Sequence, residues 1–406
     1  MNACILTIGD ELLQGFTIDT NSSWLGLKLL PYTIEISRKV SVKDNVQLIV
    51  SELENIIKEE FYFLFITGGL GPTHDDITKE AIRLFINGKL IFNEDYYNNL
   101  KERFNKRLVK MPAINRSQAM FIQDTIIIPN DIGSAPGIFF KQNKTKIFIM
   151  PGVPNEMQRM IDKYIIPNYI NIKPKKRVLT IKTSGIMESK LAEKISPLIE
   201  KHSDYFRFAF LPHYNGVSLR INKIDPRGSL NLIKNIFYKK MEPYSYGYDE
   251  DKLEYIIGNH LINKKLTISS AESCTGGLIG KRLTDMSGSS KYFLGSIIAY
   301  SNIIKTSLLN IPNDILKKYG SVSEEVAVHM AKNIREKMNS DIGVSTTGIS
   351  GPTGGTKSKS VGLVYIAIVT SDKSIVKKYN FNFGRDIHRE MTVTAALNLI
   401  RLNIEK

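Results

Sequence analysis

Hydrophobic positions along this chain change their period, and the changes mark out its elements. Ala3–Ile8 and Phe61–Thr67 are near-continuous apolar runs, the pattern of strands buried on both faces. Between them, Asn45–Glu59 repeats apolar residues at helical spacing: Val46, Ile49, Val50, Leu53, Ile56 and Ile57. Asn21–Leu30 reads as another helix, capped by Thr20 or Asn21. A strand is expected at Lys146–Met150, then a turn at Pro151–Pro154 and a helix over Asn155–Tyr164. This alternation over residues 1–172 predicts βαβ units on a largely parallel sheet, hence an α/β domain.

Shorter elements follow the basic, proline-containing run Lys173–Arg177. They are a strand at Val178–Thr183, a helix at Glu188–Glu200, strands near Phe206–Phe210 and Val217–Asn222, and a helix at Ser229–Lys240. They suit a small α+β domain over 173–250. Glu242–Asp251 has no hydrophobic period and carries Pro, Gly and acids, so a second boundary is expected there. Alternation resumes over 251–406, from a Leu253–Leu261 helix and a Leu266–Ser270 strand to a last helix at Asp386–Ile404. That segment reads as a third domain, again α/β.

Composition narrows the class. Hydrophobic residues make up 42% and charged ones 23%, as in a soluble globular protein. No run approaches the roughly 18 apolar residues of a membrane span. The opening MNACILTIGDELL lacks a basic region and meets Asp10 and Glu11, so no secretory signal is expected. Two cysteines, Cys4 and Cys274, cannot build a disulfide framework and suit a reducing cytoplasm. The net charge of +15 raises nucleic-acid binding. However, the excess is spread over both halves, and its one dense run reads as a solvated linker. Nucleic acid is therefore not expected as a main ligand.

Two loops carry candidate chemistry. GGLGPT follows the Phe61–Thr67 strand and precedes a helix expected from about Asp75. Gly68, Gly69 and Gly71 can take positive φ and let backbone N–H groups approach a phosphate. Asp75 and Asp76 beside such a site suggest a divalent cation. Asp10 and Glu11, after the first strand, fall where open α/β sheets bind ligands. A Gly-Pro turn with two helix-capping acids is the bland alternative. In the C-terminal segment, AESCTGG (271–277), GSS (288–290), AYSNIIK (299–305), TGISGPTGG (347–355) and FGRD (383–386) assemble hydroxyls, one lysine, a second glycine loop and Arg385. Serine needs a base to become nucleophilic, and a desolvated lysine can serve. The glycine loop could offer N–H groups to an anion, and Arg385 a fork for phosphate. Turn or cap serines and a snorkelling Lys305 are the bland readings here. His74, the only histidine beside a candidate site, reads as a loop residue.

These strings resemble the CinA family of competence/damage-inducible proteins over essentially the whole chain. GDELLQGFTIDTN (9–21), TGGLGPTHDDIT (67–78), NRSQ (115–118) with GSAPG (133–137), and MPGVPNEM (150–157) are similar to its molybdopterin-binding-like domain. The middle segment agrees in TSGIMESKLAEKI (183–195) and FLPHYNGVSLRI (210–221). The resemblance implies a molybdopterin-binding-like α/β domain over 1–172, an α+β middle domain over 173–250 and a CinA C-terminal domain over 251–406. It implies an ADP-ribose pyrophosphatase using Mg, Mn or Co in the first. There Asp10, Glu11, Asp75 and Asp76 would hold metal or ribose, and Gly69, Gly71 and Thr73 phosphates. In the third it implies nicotinamide-nucleotide amidohydrolase activity, converting nicotinamide mononucleotide (NMN) to nicotinic acid mononucleotide and ammonia without a metal. Ser290 is expected as nucleophile, with Ser273 the other candidate, Lys305 as base and Tyr300 relaying the proton. Ser273, Thr275 and Gly276 would line the pocket, and Arg385 with Gly351, Gly354 and Gly355 would hold the phosphate. A homodimer is expected on the same ground. The family name also makes a non-catalytic nucleotide- or pterin-binding role conceivable, with RecA recombinase as a partner. Two residues depart from the family pattern: Ser350 stands where alanine is usual, and Ser360 where proline is.

Overall fold

The computed structural model describes residues 1–214 and 216–405. They form two compact units, Met1–Lys176 and Arg177–Lys406, divided within the basic run expected to be a linker. The first contains β1 (Asn2–Ile8), β2 (Glu35–Val42), β3 (Phe63–Thr67), β4 (Leu90–Phe92), β5 (Met120–Ile122), β6 (Ile126–Ile128), β7 (Gly137–Gln142) and β8 (Thr145–Met150). Six of them make one sheet in the order β2-β1-β3-β8-β7-β6. Its first four strands run parallel and its β8-β7-β6 edge is antiparallel. β4 and β5 pair separately.

Successive side chains of a strand face opposite sides, which explains the unbroken apolar runs. On one face Ala3, Ile5, Phe63 and Phe65 pack with Leu25 and Leu29 of the Thr20–Leu29 helix and with Met157 and Met160 of the Pro154–Met160 helix. On the other, Cys4, Leu6, Leu64 and Ile66 meet Ile49, Leu53 and Ile56 of the Val46–Lys58 helix. Two local expectations change. The Thr20–Leu29 helix is capped by Asp19, whose Oδ1 accepts from the Ser22 N–H at 2.9 Å. The helix after the glycine loop begins at Thr78, not near Asp75.

The second unit holds two sheets. β9 (Val178–Thr183), β10 (Phe206–His213), β11 (Gly216–Lys223) and β12 (Ser245–Tyr248) form an antiparallel sheet in the order β10-β11-β9-β12. β12 lies inside Glu242–Asp251, so the segment expected as a boundary itself contributes a strand to this sheet. It pairs with β9, and the buried guanidinium of Arg401, on the last helix, donates to the carbonyls of Pro243 (2.7 Å) and Ser245 (3.3 Å). Only three-dimensional pairing reveals so short a strand.

β13 (Ile268–Glu272), β14 (Phe293–Ile298), β15 (Ile342–Gly348), β16 (Leu363–Val369) and β17 (Ser374–Asn380) form the last sheet, ordered β14-β13-β15-β16-β17. Its first three strands are parallel. The Leu253–Lys264, Leu278–Thr284 and Arg385–Ile404 helices bury Ile257, Leu261, Ile279, Leu283, Leu397 and Ile400 against one face. On the other face the Glu324–Met338 helix packs Val326, Met330 and Ile334 near Ala271. The chain leaves β13, β14 and β15 at one edge of the sheet, where α/β sheets place ligands. Among the described residues no helix is long and apolar enough to cross a membrane.

Candidate functional site

The turn after β13 is organised by a carboxylate that sequence reading missed. Glu272 is fully buried. Its Oε2 accepts from Thr275 Oγ1 (2.7 Å) and from the N–H groups of Gly277 (2.9 Å) and Ile279 (3.1 Å). Its Oε1 accepts from the Gly280 N–H (2.9 Å) and Ser296 Oγ (3.2 Å). The carboxylate thus satisfies the first N–H groups of the Leu278–Thr284 helix, which would otherwise be orphaned. Gly276 and Gly277 both have positive φ, which lets the chain turn tightly enough for that helix to begin. Thr275 was expected to line a pocket; its buried hydroxyl instead bonds Glu272 and Thr346 and is not offered to a ligand. Ser273 comes next to Glu272, held by its N–H on the Thr346 carbonyl at 3.0 Å.

Lys305 lies on the short Asn302–Ser307 helix, capped by Ser301. It is 1% exposed, and its Nζ has three oxygen neighbours: the carbonyls of Ala299 (2.7 Å) and Tyr300 (3.2 Å), and Ser273 Oγ (3.0 Å). Among the described residues no carboxylate bonds it, and burial lowers its pKa from the usual lysine value to about 8. A neutral amine has two N–H groups and one lone pair. Two carbonyls can only accept, so the lone pair is left for the one neighbour that can donate, the Ser273 hydroxyl.

Ser290 does not share this arrangement, which corrects the expected assignment. It is exposed, in a short turn before β14, whereas Lys305 follows that strand. β13 and β14 run parallel, with Ile268 opposite Phe293 and Glu272 opposite Ile298. Ser290 therefore lies at the opposite edge of the sheet from Ser273, about 20 Å away at the rise of a six-residue strand. Nearness in sequence misleads because the strand between them is extended. Tyr300 also differs from expectation. Only its carbonyl meets Lys305; its exposed phenol accepts from Arg385 Nη2 at 3.0 Å.

A cleft of about 420 Å³ opens beside Tyr300, lined among others by Ser350, Gly351, Gly354, Lys359 and Arg385. Arg385 Nη1 also donates to the Gly351 carbonyl at 3.1 Å, so the arginine ties the glycine loop to the Tyr300 wall. Gly355 stands behind the lining, where a Cβ would press on Val361. Gly276 is not part of this lining and faces the guanidinium of Arg389, which bonds the Thr275 carbonyl at 3.0 Å. Arg389 was legible only as the residue four after Arg385 on one helix face. Lys359 and Glu272 gave no separate signal.

In the first unit a cleft of about 470 Å³ gathers the expected motifs at the ends of β1, β3 and β8. Gly69 has positive φ, and a Cβ there would lie 2.2 Å from Thr78 Oγ1, so only glycine fits. Asp76, however, is spent on its own loop. It accepts from the N–H groups of Gly71 (2.7 Å) and Thr73 (2.8 Å) and from the Thr73 hydroxyl. Those donors are consequently not free for phosphate, and Asp76 is not a free metal ligand. The Asp10 carboxylate reaches the Asp44 N–H (3.4 Å), while Asp44 accepts from the Asp10 N–H (2.9 Å). Asp44 was missed by sequence reading. Burial raises its pKa, the Asp10 N–H opposes that, and the charges of Asp10, Glu11 and Asp75 add to the rise. Gln118 is fully buried at this cleft with an unpartnered Nε2. Among the described residues no three Asp, Glu, His or Cys side chains converge closely enough to cage an ion. Glu11 and Asp75, which accept no side-chain hydrogen bond among the described residues, line the cleft with Asp44. These hard oxygens fit a Mg²⁺-type ion that takes most of its ligands from phosphate and water.

The two sites thus belong to a chain that joins an α/β domain with an acid-lined cleft at its strand ends to a second α/β domain with a serine–lysine pair. The description "Probable molybdopterin binding domain" matches residues 4–170, "Damage-inducible protein CinA KH domain" 179–229 and "CinA C-terminal domain" 250–404. The chain belongs to the CinA family. A CinA-like protein of Cytophaga hutchinsonii is 37% identical over 418 residues, covering 100% of this chain and 98% of its own. A putative competence-damage inducible protein of Clostridium tetani is 37% identical over 412 residues and covers 100% of both. Among solved structures, the competence/damage inducible protein CihA of Agrobacterium tumefaciens is 30% identical, with a TM-score of 0.36, covering 38% of this chain and 98% of its own.

Proposed function

We propose that the second unit is a nicotinamide-nucleotide amidohydrolase, with Ser273 as nucleophile and Lys305 as its base. The observation that carries this reading is the Lys305 amine, buried without a counter-charge and 3.0 Å from a hydroxyl. The neutral amine removes the Ser273 proton as Oγ bonds to the carbon of the nicotinamide carboxamide. The resulting ammonium returns a proton to the amide nitrogen, the C–N bond breaks and ammonia leaves. Water then attacks the ester, losing its proton to Lys305, and Ser273 Oγ leaves with that proton. The sum is NMN plus water giving nicotinic acid mononucleotide plus ammonia. Arg385 and Lys359 supply positive charge for the 5′-phosphate.

The first unit supports a second reading, hydrolysis of a nucleotide diphosphate such as ADP-ribose. Its cleft lies where three parallel strands end and carries acids fit for a divalent ion. Such an ion, when bound, would neutralise charge on the pyrophosphate oxygens. Glu11 and Asp75 would hold it, and Gln118 offers an N–H to the ligand.

Both readings are tested on the full chain. The expected result is ammonia release from NMN in the presence of a chelator, and ADP-ribose hydrolysis that the chelator abolishes. Binding of either nucleotide with no turnover would instead establish a non-catalytic ligand-binding protein.

A further inference from the structure

Ser350 is a hydroxyl with nothing to bond. The residue is 6% exposed, and its Oγ is buried without a hydrogen-bond partner among the described residues. An unpaired buried hydroxyl destabilises a folded chain unless something else satisfies it. Alanine, expected here from the family resemblance, would fill the same backbone position without that cost.

The chain around Ser350 has little freedom to relieve the loss. Just before it, the Ile349 N–H donates to the Leu363 carbonyl and the Ile349 carbonyl accepts from the Gly362 N–H, both at 2.8 Å. Just after it, the Gly351 carbonyl is held by Arg385. These bonds pin the backbone on both sides of the hydroxyl, at the mouth of β15. Ser350 is nevertheless one of the residues that line the 420 Å³ cleft beside Tyr300, so a ligand seated there would lie against it.

The character of the cleft says which part of a ligand arrives there. Its lining includes Arg385 and Lys359, the hydroxyls of Ser321, Thr353 and Thr356, and the glycines at 351 and 354; no carboxylate is among the described residues that line it. Two cations, several hydroxyls and no acid make an anion site. Lys359 Nζ is anchored on the Tyr319 carbonyl at 2.6 Å, which fixes one of the two charges in place.

We propose that Ser350 is a specificity-determining residue whose hydroxyl donates a hydrogen bond to the 5′-phosphate of the substrate. This rests on the amidohydrolase reading for the identity of the nucleotide, but not for the existence of the anion site. The hydroxyl adds a donor that an alanine-bearing relative lacks, so it tightens binding of the phosphorylated substrate relative to its nucleoside. It touches no reacting atom and should leave the chemical step alone.

Calorimetric titration and steady-state kinetics of wild-type and Ser350→Ala chains, with NMN and with nicotinamide riboside, provide the test. The two ligands differ only in the phosphate. Ser350→Ala should fold with a ligand-free Tm no lower than wild type, because it removes an unsatisfied group. Its NMN dissociation constant and KM should rise about tenfold, the loss of one charge-assisted hydrogen bond, with kcat unchanged. Riboside binding should not change. Unchanged NMN affinity, or equal weakening of both ligands, would overturn the assignment, as would a wild-type chain that binds no NMN. NMN bound but never hydrolysed by wild type would remove the amidohydrolase reading alone, and the tenfold difference would still decide the role of Ser350.

Discussion

The two candidate sites of this protein treat ionisable groups in opposite ways. In the second unit a single amine is sealed from water among carbonyls and a hydroxyl, and burial alone moves it toward neutrality. In the first, several carboxylates line an open cleft, where Asp44 is pushed up by burial and by its like-charged neighbours. The contrast teaches what each can do unaided. A desolvated amine is already a base, whereas crowded carboxylates call for a cation before an anionic ligand can settle among them.

The sharpest break in this comparison is expected from Lys305→Ala, which should lower ammonia release from NMN by about 10²–10⁴-fold, the usual worth of a general base. Ser273→Ala should fall comparably, and Ser290→Ala should stay near wild type. A Ser290→Ala chain as dead as Ser273→Ala would reverse the assignment of the nucleophile. Circular dichroism of each variant separates chemistry from unfolding.

Acid should come next in size. In the proposed mechanism the working amine is the neutral one, and burial lowers its pKa to about 8. Turnover should therefore rise with pH and level off above about 8, dropping roughly tenfold per unit below it. The same shift acts on stability: between about 8 and 10.5 the unfolded lysine keeps a proton that the folded one has lost, so stability from Lys305 increases with pH over that window. A pH–rate profile flat from 6 to 9 would show that Lys305 is not the base.

A smaller effect distinguishes structural from chemical carboxylates. Glu272→Gln puts a donor where backbone N–H groups already point and should cost about 2–3 kcal/mol of stability, read by urea unfolding. Asp76→Ala should cost only about 1 kcal/mol, because its loop is partly exposed to water that can replace it. If ADP-ribose hydrolysis survives Asp76→Ala but not Glu11→Gln, the division between loop-holding and ligand-facing acids stands. Equal losses would erase it.

Much of the fold was legible because its signals are local. The apolar run Phe63–Thr67 and the 3.6-residue spacing of Ile49, Leu53 and Ile56 each report one element, and both occur close to where the pattern placed them. Asp19, one residue before the expected caps, is set by which side chain reaches the Ser22 N–H, a matter of geometry too fine for pattern. β12 escaped because four residues carry too little periodicity to betray a strand. At the site, motif position singled out Lys305, Ser273 and Ser290 but ranked Ser290 ahead of Ser273, the hydroxyl that Lys305 meets in the fold.

By itself the sequence determined the order of elements, the segments that carry chemistry and the presence of a lysine flanked by candidate hydroxyls. Tertiary structure decided which hydroxyl that lysine meets, that Asp76 serves its own loop, and that Ser350 was left without a partner. The physical reason is common to all three. Hydrogen-bond partnership and desolvation depend on groups brought together from distant parts of the chain, such as Ser273 and Lys305 at neighbouring strand ends, whereas hydrophobic period is written in consecutive residues.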